Sequence, residues 1–346
     1  MTAPLLVVRA DETPQIGSGH VMRCLALSQA WIDGAGSVAF VGSLASSTRE
    51  RMEREGIGTF AATAGDAGLA GIRELTQSAS AIVLDGYEFD FDYQSNVMGS
   101  GVMLVVVDDD AHHPRYAASY LLNPGFVTTE LYTNKTSAEL LLGPKFALIR
   151  RELGRRANEQ DATVPPQHLL VAFGGADPKN LTPKVLQALT GLEHELHTRV
   201  KVRVLLGPMA SNQSEVHSIA ARSPLEVEVV ESTTQLDALY ASTDLAIVAP
   251  GVSALEVAAF GVPQLNIAVA ENQLQNARGL AAVGASEFMG EAEHVTSETI
   301  TSSVRRLLYD PDRCRSMSRA ARSVIDGNGA RRVADLILSA LDDSAE

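Results

Sequence analysis

The chain has 346 residues, and its 28 Lys and Arg set against 42 Asp and Glu give a formal net charge of −14. With 45% hydrophobic and 20% charged residues, the balance is that of a globular protein, which excludes disordered, collagen-like and disulfide-scaffold classes. The acidity argues against nucleic acid or an anionic membrane as the main partner, but a small anionic ligand fits, because backbone amides at a helix N-terminus bind phosphate whatever the net charge.

The length exceeds what one hydrophobic core usually serves, so two domains are expected. Cys24 and Cys314 are too few for a disulfide framework and too far apart for a short metal clip, and read as reduced thiols of a cytoplasmic protein. The opening MTAPLLVVRAD has neither the basic start nor the long apolar core of a signal peptide. No apolar run reaches the roughly 18 residues that a membrane span needs.

Short apolar runs alternate with amphipathic stretches along the chain. PLLVVR (4–9) reads as a strand, 20–36 as a helix, VAFVGS (38–43) as a strand and 47–56 as a helix. SAIVLDGY (80–87), MLVVVDDD (103–110) and YLLNPG (120–125) are further strands. The rhythm pauses at the polar stretch 150–167, which ends in Pro165-Pro166 and reads as a linker about which two halves close. It restarts with HLLVAFGG (168–175), helix 181–193, strand 200–207, helix 211–222, strand 225–231, a short helix at 235–242 and strand 244–251. Helix 253–261, strand 263–270, helix 272–283 and a helical tail from 297 follow.

Continuous Val/Ile/Leu runs predict strands covered on both faces, and strand–helix alternation predicts parallel sheets. The expectation is an α/β protein of two doubly wound, Rossmann-type domains, 1–155 and 165–325, with a cleft between them and a C-terminal helical tail at 326–346. Ligands bind such sheets at the carboxyl ends of the strands, so the functional residues should follow the strands directly.

The first such loop holds Arg9, Asp11, Gly17, Gly19 and His20, with Arg23 one turn further. Gly17 and Gly19 permit a tight turn. His20 falls in the first turn of the next helix, where the dipole disfavours imidazolium and an uncharged ring can accept a proton; a packing His after a glycine turn is the plain alternative. Asp85-Gly86-Tyr87 and Asp108-Asp109-Asp110 with His112-His113 also follow strands. Three consecutive acids cannot all point one way along an extended segment, so a hydrogen-bonding frame is expected there rather than a metal site.

In the second half, Gly174 and Gly175 end a strand and suit phosphate contact through the backbone. Gly251, Val252, Ser253 and Glu256 follow the next, where Ser253 can cap a helix that cradles a diphosphate and Glu256 can take a ribose diol, or the two form a capping box. Glu271, Asn272 and Gln273 can face a sugar or cap. There is no GxSxG, CxxC, HExxH, P-loop or GxGxxG, so a serine or zinc hydrolase and a dinucleotide enzyme have no support.

Taken in order, these pieces resemble a known family. They are Arg9-Ala10-Asp11 with Ile16-Gly17-Ser18-Gly19-His20-Val21-Met22-Arg23, Val107-Asp108-Asp109, Leu121-Leu122-Asn123 and Gly143-Pro144-Lys145-Phe146-Ala147-Leu148-Ile149-Arg150. Phe173-Gly174-Gly175-Ala176-Asp177, Pro250-Gly251-Val252-Ser253-Ala254-Leu255-Glu256, Ala270-Glu271-Asn272-Gln273 and Ile325-Asp326-Gly327-Asn328-Gly329 complete the set. The set resembles the UDP-sugar hydrolases of pseudaminic acid biosynthesis, relatives of the GT-B glycosyltransferases. The resemblance implies a GT-B-like fold and an inverting cleavage of an anomeric C1–O bond with no metal and no cofactor. It implies that His20 is the base that activates water, that Tyr87 and Asn272 lie near the sugar, and that Phe146, Ala147, Leu148 and Ile149 contact uracil. The chain departs from the family at Asp85-Gly86-Tyr87-Glu88, where Gly86 stands in place of a His. A transferase using an acceptor in place of water, and a non-catalytic nucleotide-sugar binder, are the alternatives.

Overall fold

The computed structural model describes residues 3–13, 17–62, 75, 77–154, 165–193, 200–207, 209–231 and 235–343. Gln15 and Ile16 of the first loop, and 155–164 of the expected linker, lie outside the described residues. The chain forms two compact units, one of Met1–Arg151 with Gly327–Glu346 and the other of Glu152–Asp326.

The first unit is built on a parallel sheet of seven strands in the order β3-β2-β1-β4-β5-β6-β7. These are β1 (Leu5–Ala10), β2 (Ser37–Gly42), β3 (Gly58–Ala61), β4 (Ala81–Asp85), β5 (Met103–Val107), β6 (Tyr120–Asn123) and β7 (Glu139–Leu142). Helices α1 (Gly19–Asp33), α2 (Ser46–Arg54) and α3 (Phe91–Met98) connect them. Alternation in β1 sends Leu6, Val8 and Ala10 to one apolar layer and Val7 to the other. Both layers are covered, which is why the central strands read as unbroken apolar runs.

The second unit repeats the plan with six parallel strands in the order β10-β9-β8-β11-β12-β13. They are β8 (His168–Ala172), β9 (Lys201–Leu206), β10 (Val227–Glu231), β11 (Leu245–Val248), β12 (Gln264–Ala268) and β13 (Ser286–Glu291). The helices are α4 (Leu181–Thr190), α5 (Gln213–Arg222), α6 (Leu236–Ala241), α7 (Val252–Ala259), α8 (Leu274–Ala282), α9 (Ser297–Leu308) and α10 (Pro311–Val324). Leu169, Val171, Val202, Val204, Ile247, Leu265 and Ile267 pack under Val185, Leu189, Ile300 and Val304.

The strand order of each sheet reverses beside its first strand, between β1 and β4 and between β8 and β11. At such a switch point the flanking crossovers run to opposite faces and leave a crevice above the strand ends.

Three strands (β3, β7 and β13) and helix α3 escape the sequence reading. Each of the three strands lies at a sheet edge. An edge strand needs no continuous apolar run, and β3 leaves three of its four residues exposed. The tail from 297 is three helices, the last being α11 (Gly329–Asp343). Its buried Ala330, Val333, Ala334 and Ile337 recur at helical spacing and join the core of the first unit, together with Trp31, Phe146 and Leu148. Gly329 starts α11 where a Cβ would overlap the Ala147 carbonyl oxygen, so only glycine permits the approach. Among the described residues no helix is long and apolar enough to cross a membrane.

Candidate functional site

A buried polar cluster of the first unit sits at its switch point. The register pairs Ala10 with Asp85, and Asp85 with Val107, so the β4 carboxylate lies at the carboxyl end of the sheet. Asp85 has the parity of Val83, which faces the α1 layer. His20, Arg23 and Cys24 share one face of α1 by their spacing of three and four, and all three reach the Asp85 carboxylate. His20 Nδ1 is 2.7 Å from Oδ1. Arg23 donates from Nε to Oδ2 and from Nη2 to Oδ1, both at 2.6 Å. The Cys24 thiol donates to Oδ2 at 3.3 Å.

Burial alone would raise the Asp85 carboxyl, but the Arg23 guanidinium and then His20 outweigh it and hold Asp85 well below the usual carboxylate range. Burial would likewise lower Arg23, and Asp109 and Asp85 reverse it. Burial, reinforced by Asp85, pushes the Cys24 thiol up and keeps it protonated. An ionised carboxylate only accepts hydrogen bonds, so His20 donates from Nδ1, and in the neutral ring Nε2 carries the free lone pair. The ring is placed to take a proton through Nε2 while Asp85 holds its other side. The helix-dipole argument did not reach this partner, which fixes both tautomer and orientation.

Asp109 extends the cluster. One oxygen pairs with Arg23 Nη1 and the other accepts from the Tyr87 hydroxyl at 3.1 Å. The Tyr87 ring meets His20 edge-on, with centroids 5.3 Å apart. His20, Arg23, Tyr87 and Asp109 are therefore one connected group. Asp108, beside it, is a hub: Tyr116 and Tyr132 hydroxyls donate at 2.8 and 2.6 Å, the Ala111 amide donates at 2.7 Å, and His112 Nδ1 lies at 3.1 Å. Burial would raise this carboxyl, but His112, Tyr132 and Tyr116 lower it instead. Asp108 thus has four partners, among them His112.

Arg9 and Asp11 pair with each other at 2.6 and 2.9 Å, and Asp11 accepts from the Ser43 amide at 2.7 Å. Arg9 also lies over the Phe89 ring. Both are almost fully buried, so the pair braces the base of the loop. Gly17 turns that loop at a φ of 71°, its amide donating to Thr13 O at 2.8 Å. Gly19 is the first residue of α1. Phe146, Ala147, Leu148 and Ile149 are buried, and Phe146 and Leu148 pack in the core with α11.

In the second unit the loops after β8, β11 and β12 sit at the ends of adjacent strands. Asp177 closes the first: its oxygens accept from the Leu181 and Thr182 amides at 2.9 Å and from Asn212 at 2.7 Å. Two of the first amides of α4 are thus already taken by a carboxylate. Gly174 has a φ of 76°, and Gly175 packs against Gly207, where a Cβ would overlap its backbone.

The α7 start differs from the sequence reading. Gly251 is its N-cap, Val252 and Ser253 lie inside the first turn, and among the described residues no side chain caps the helix. Ser253 therefore forms no capping box, and the first amides of α7 remain able to take an anion. Glu256 is 2% exposed and accepts from the Tyr240 hydroxyl at 3.3 Å. Glu271, Asn272 and Gln273 form one 3-10 turn, and Gln273 accepts from the Val269 amide at 3.0 Å while its amide nitrogen lies beside Gly251. Gly251, Val252, Ser253 and Gln273 thus gather at one point, with Asn272 on the adjoining turn.

Asp85 and Cys24 are the site residues that the sequence reading did not link to His20. The signal was present: a carboxylate ending an apolar strand, and three polar or thiol side chains on one face of an otherwise apolar helix.

Residues 168–337 match the glycosyltransferase family 28 C-terminal domain. The chain is 28% identical over 197 residues to the spore coat polysaccharide biosynthesis protein SpsG of Bacillus subtilis (strain 168), covering 56% of this chain and 57% of that protein. It spans little more than half the length of that relative. Its fold is similar to MurG of Acinetobacter baumannii, with a TM-score of 0.66 at 16% identity over 98% of this chain and 100% of that one. It is also similar to Anabaena Alr3699/HepE in complex with UDP-glucose, with a TM-score of 0.64 at 12% identity over 97% and 99% of the two chains. The fold is GT-B-like, and the chain is related to enzymes of the GT-B glycosyltransferase type.

Proposed function

We propose that the chain binds a UDP-activated amino or deoxy sugar and cleaves its anomeric C1–O bond with inversion, His20 acting as general base. The observation that carries this reading is the contact between His20 Nδ1 and Asp85, which leaves Nε2 to accept a proton. Water gives its proton to Nε2 as its oxygen attacks C1, and the C1–O electron pair leaves with UDP. The products are UDP and the free sugar. The uncapped N-terminus of α7 supports the second unit as holder of the diphosphate, where its amides offset the charge growing on the leaving group. Tyr87 and Asn272 are assigned to the sugar.

A second reading, transfer to an acceptor hydroxyl in place of water, draws on the family 28 match over 168–337. In it His20 deprotonates the acceptor instead. Incubation of the full chain with a panel of UDP-sugars, in buffer alone and with candidate acceptors, separates the two. UDP release in buffer alone supports hydrolysis. Release only with an acceptor supports transfer. Binding without turnover in either arm leaves a nucleotide-sugar-binding protein.

A further inference from the structure

The loop after β5 carries more titratable groups than the proposed reaction uses. His112 is one of those left over. Its Nδ1 lies 3.1 Å from Oδ1 of Asp108 and 3.2 Å from Oδ1 of Asp110. Its ring meets the Tyr87 ring edge-on, with centroids 4.9 Å apart. Tyr87 is therefore flanked by two imidazoles, His20 and His112.

The chain bends to make this possible. Ala111, a residue with a side chain, sits in the left-handed region at a φ of 55°. It is held there from both sides, by Asp108 on its amide at 2.7 Å and by the Lys135 ammonium on its carbonyl at 2.6 Å. Backbone strain held this firmly is found where a side chain must be aimed.

Nδ1 of His112 faces two carboxylates at once, an arrangement that favours the charged ring. We propose that His112 is the positioning residue of Tyr87, anchored through Nδ1 by Asp108 and Asp110 and clamping the Tyr87 ring by its edge contact so that the phenol stays against His20 and Asp109. The proposal rests on the reading that Tyr87 faces the sugar.

The groups facing His112 are Asp108 and Asp110, the His113 ring at 3.8 Å between centroids, the Tyr116 ring at 6.5 Å and the Tyr87 ring, with the Lys135 ammonium on the adjoining carbonyl. Burial alone would lower His112, but Asp108, Asp110 and the Tyr87 main chain raise it above the ordinary imidazole value. His113 moves the other way, by burial and by the charge of His112. One imidazolium and one neutral ring is the arrangement two adjacent histidines favour.

The test follows the histidine and tyrosine ring signals of the isotope-labelled full chain through a pH titration, with Tyr87 assigned from Tyr87→Phe, alongside kcat for UDP release. The expected result is that His112 titrates above an ordinary His, that the Tyr87 signals move with the same midpoint, and that kcat falls on the alkaline side at that midpoint. His112→Gln, which keeps a donor but cannot titrate, should lower kcat roughly tenfold or more at mildly acid pH and abolish the alkaline limb. Asp110→Asn, at an exposed position, should shift the His112 midpoint down. Tyr87 signals indifferent to His112, or an alkaline limb that survives His112→Gln, would overturn the clamp. If the wild-type chain turns over no UDP-sugar, the functional reading fails, and the ring titrations decide the clamp by themselves.

Discussion

Nδ1 of His20 lies 2.7 Å from Oδ1 of Asp85, and Arg23, one turn further along α1, donates to both oxygens of the same carboxylate. One buried anion thus orients an imidazole and offsets a guanidinium. Asp85→Asn keeps the shape and removes the charge. The Arg23 guanidinium then keeps Asp109 as its charged partner, and the His20 tautomer is no longer fixed. The expected loss is about 3 kcal/mol of stability by urea unfolding, with a fall of about 10²-fold in kcat for UDP release.

Tyr132→Phe removes one donor from the Asp108 hub and the acceptor of Asn123 Nδ2. It should cost about 2 kcal/mol near neutral pH, since hydrogen bonds to buried charges are the stronger ones. The folded Asp108 is held below its ordinary value. Its stabilising contribution is therefore present above about pH 4 and is lost as the pH falls through the lowered folded value. The wild-type and Tyr132→Phe urea midpoints should converge as the pH is taken down through that window.

His112 has the opposite sign. Its folded value is raised, so its contribution is complete below about pH 6.5 and is lost as the pH rises through the raised value. The stability difference between wild type and His112→Gln should be largest in mild acid and shrink on the alkaline side. A difference that grows with pH would assign the protonated form the wrong role.

Ile337 is fully buried against α1, while Leu336, its neighbour on α11, is 38% exposed. Ile337→Ala should cost about 3 kcal/mol and Leu336→Ala less than about 0.5 kcal/mol by chemical unfolding. The contrast tests whether the C-terminal helix is part of the first unit's core rather than an appendage.

Much of this architecture is legible in the residues. Unbroken runs such as Leu5–Val8, Met103–Val107 and Leu245–Val248 mark central parallel strands, because both of their faces are covered. Edge strand β3 was not legible, since it leaves three of its four residues exposed, whereas β7 was missed although Leu140–Leu142 form an apolar run. The destination of α11 was hidden for another reason. Its apolar stripe is plain in the sequence, but the partner, α1, lies some three hundred residues away, and no local pattern names it. The same holds for the site. His20, Arg23 and Gly251 follow strands and could be picked out one by one. Their partners Asp85, Asp109 and Gln273 come from other loops and are joined to them only by the strand order.

The most direct measurement on the central claim is UDP release by His20→Asn, made together with UDP affinity by calorimetry. The account predicts a fall in kcat of about 10²–10⁴-fold with UDP affinity nearly unchanged. Turnover equal to wild type would remove His20 from the chemistry and contradict the account.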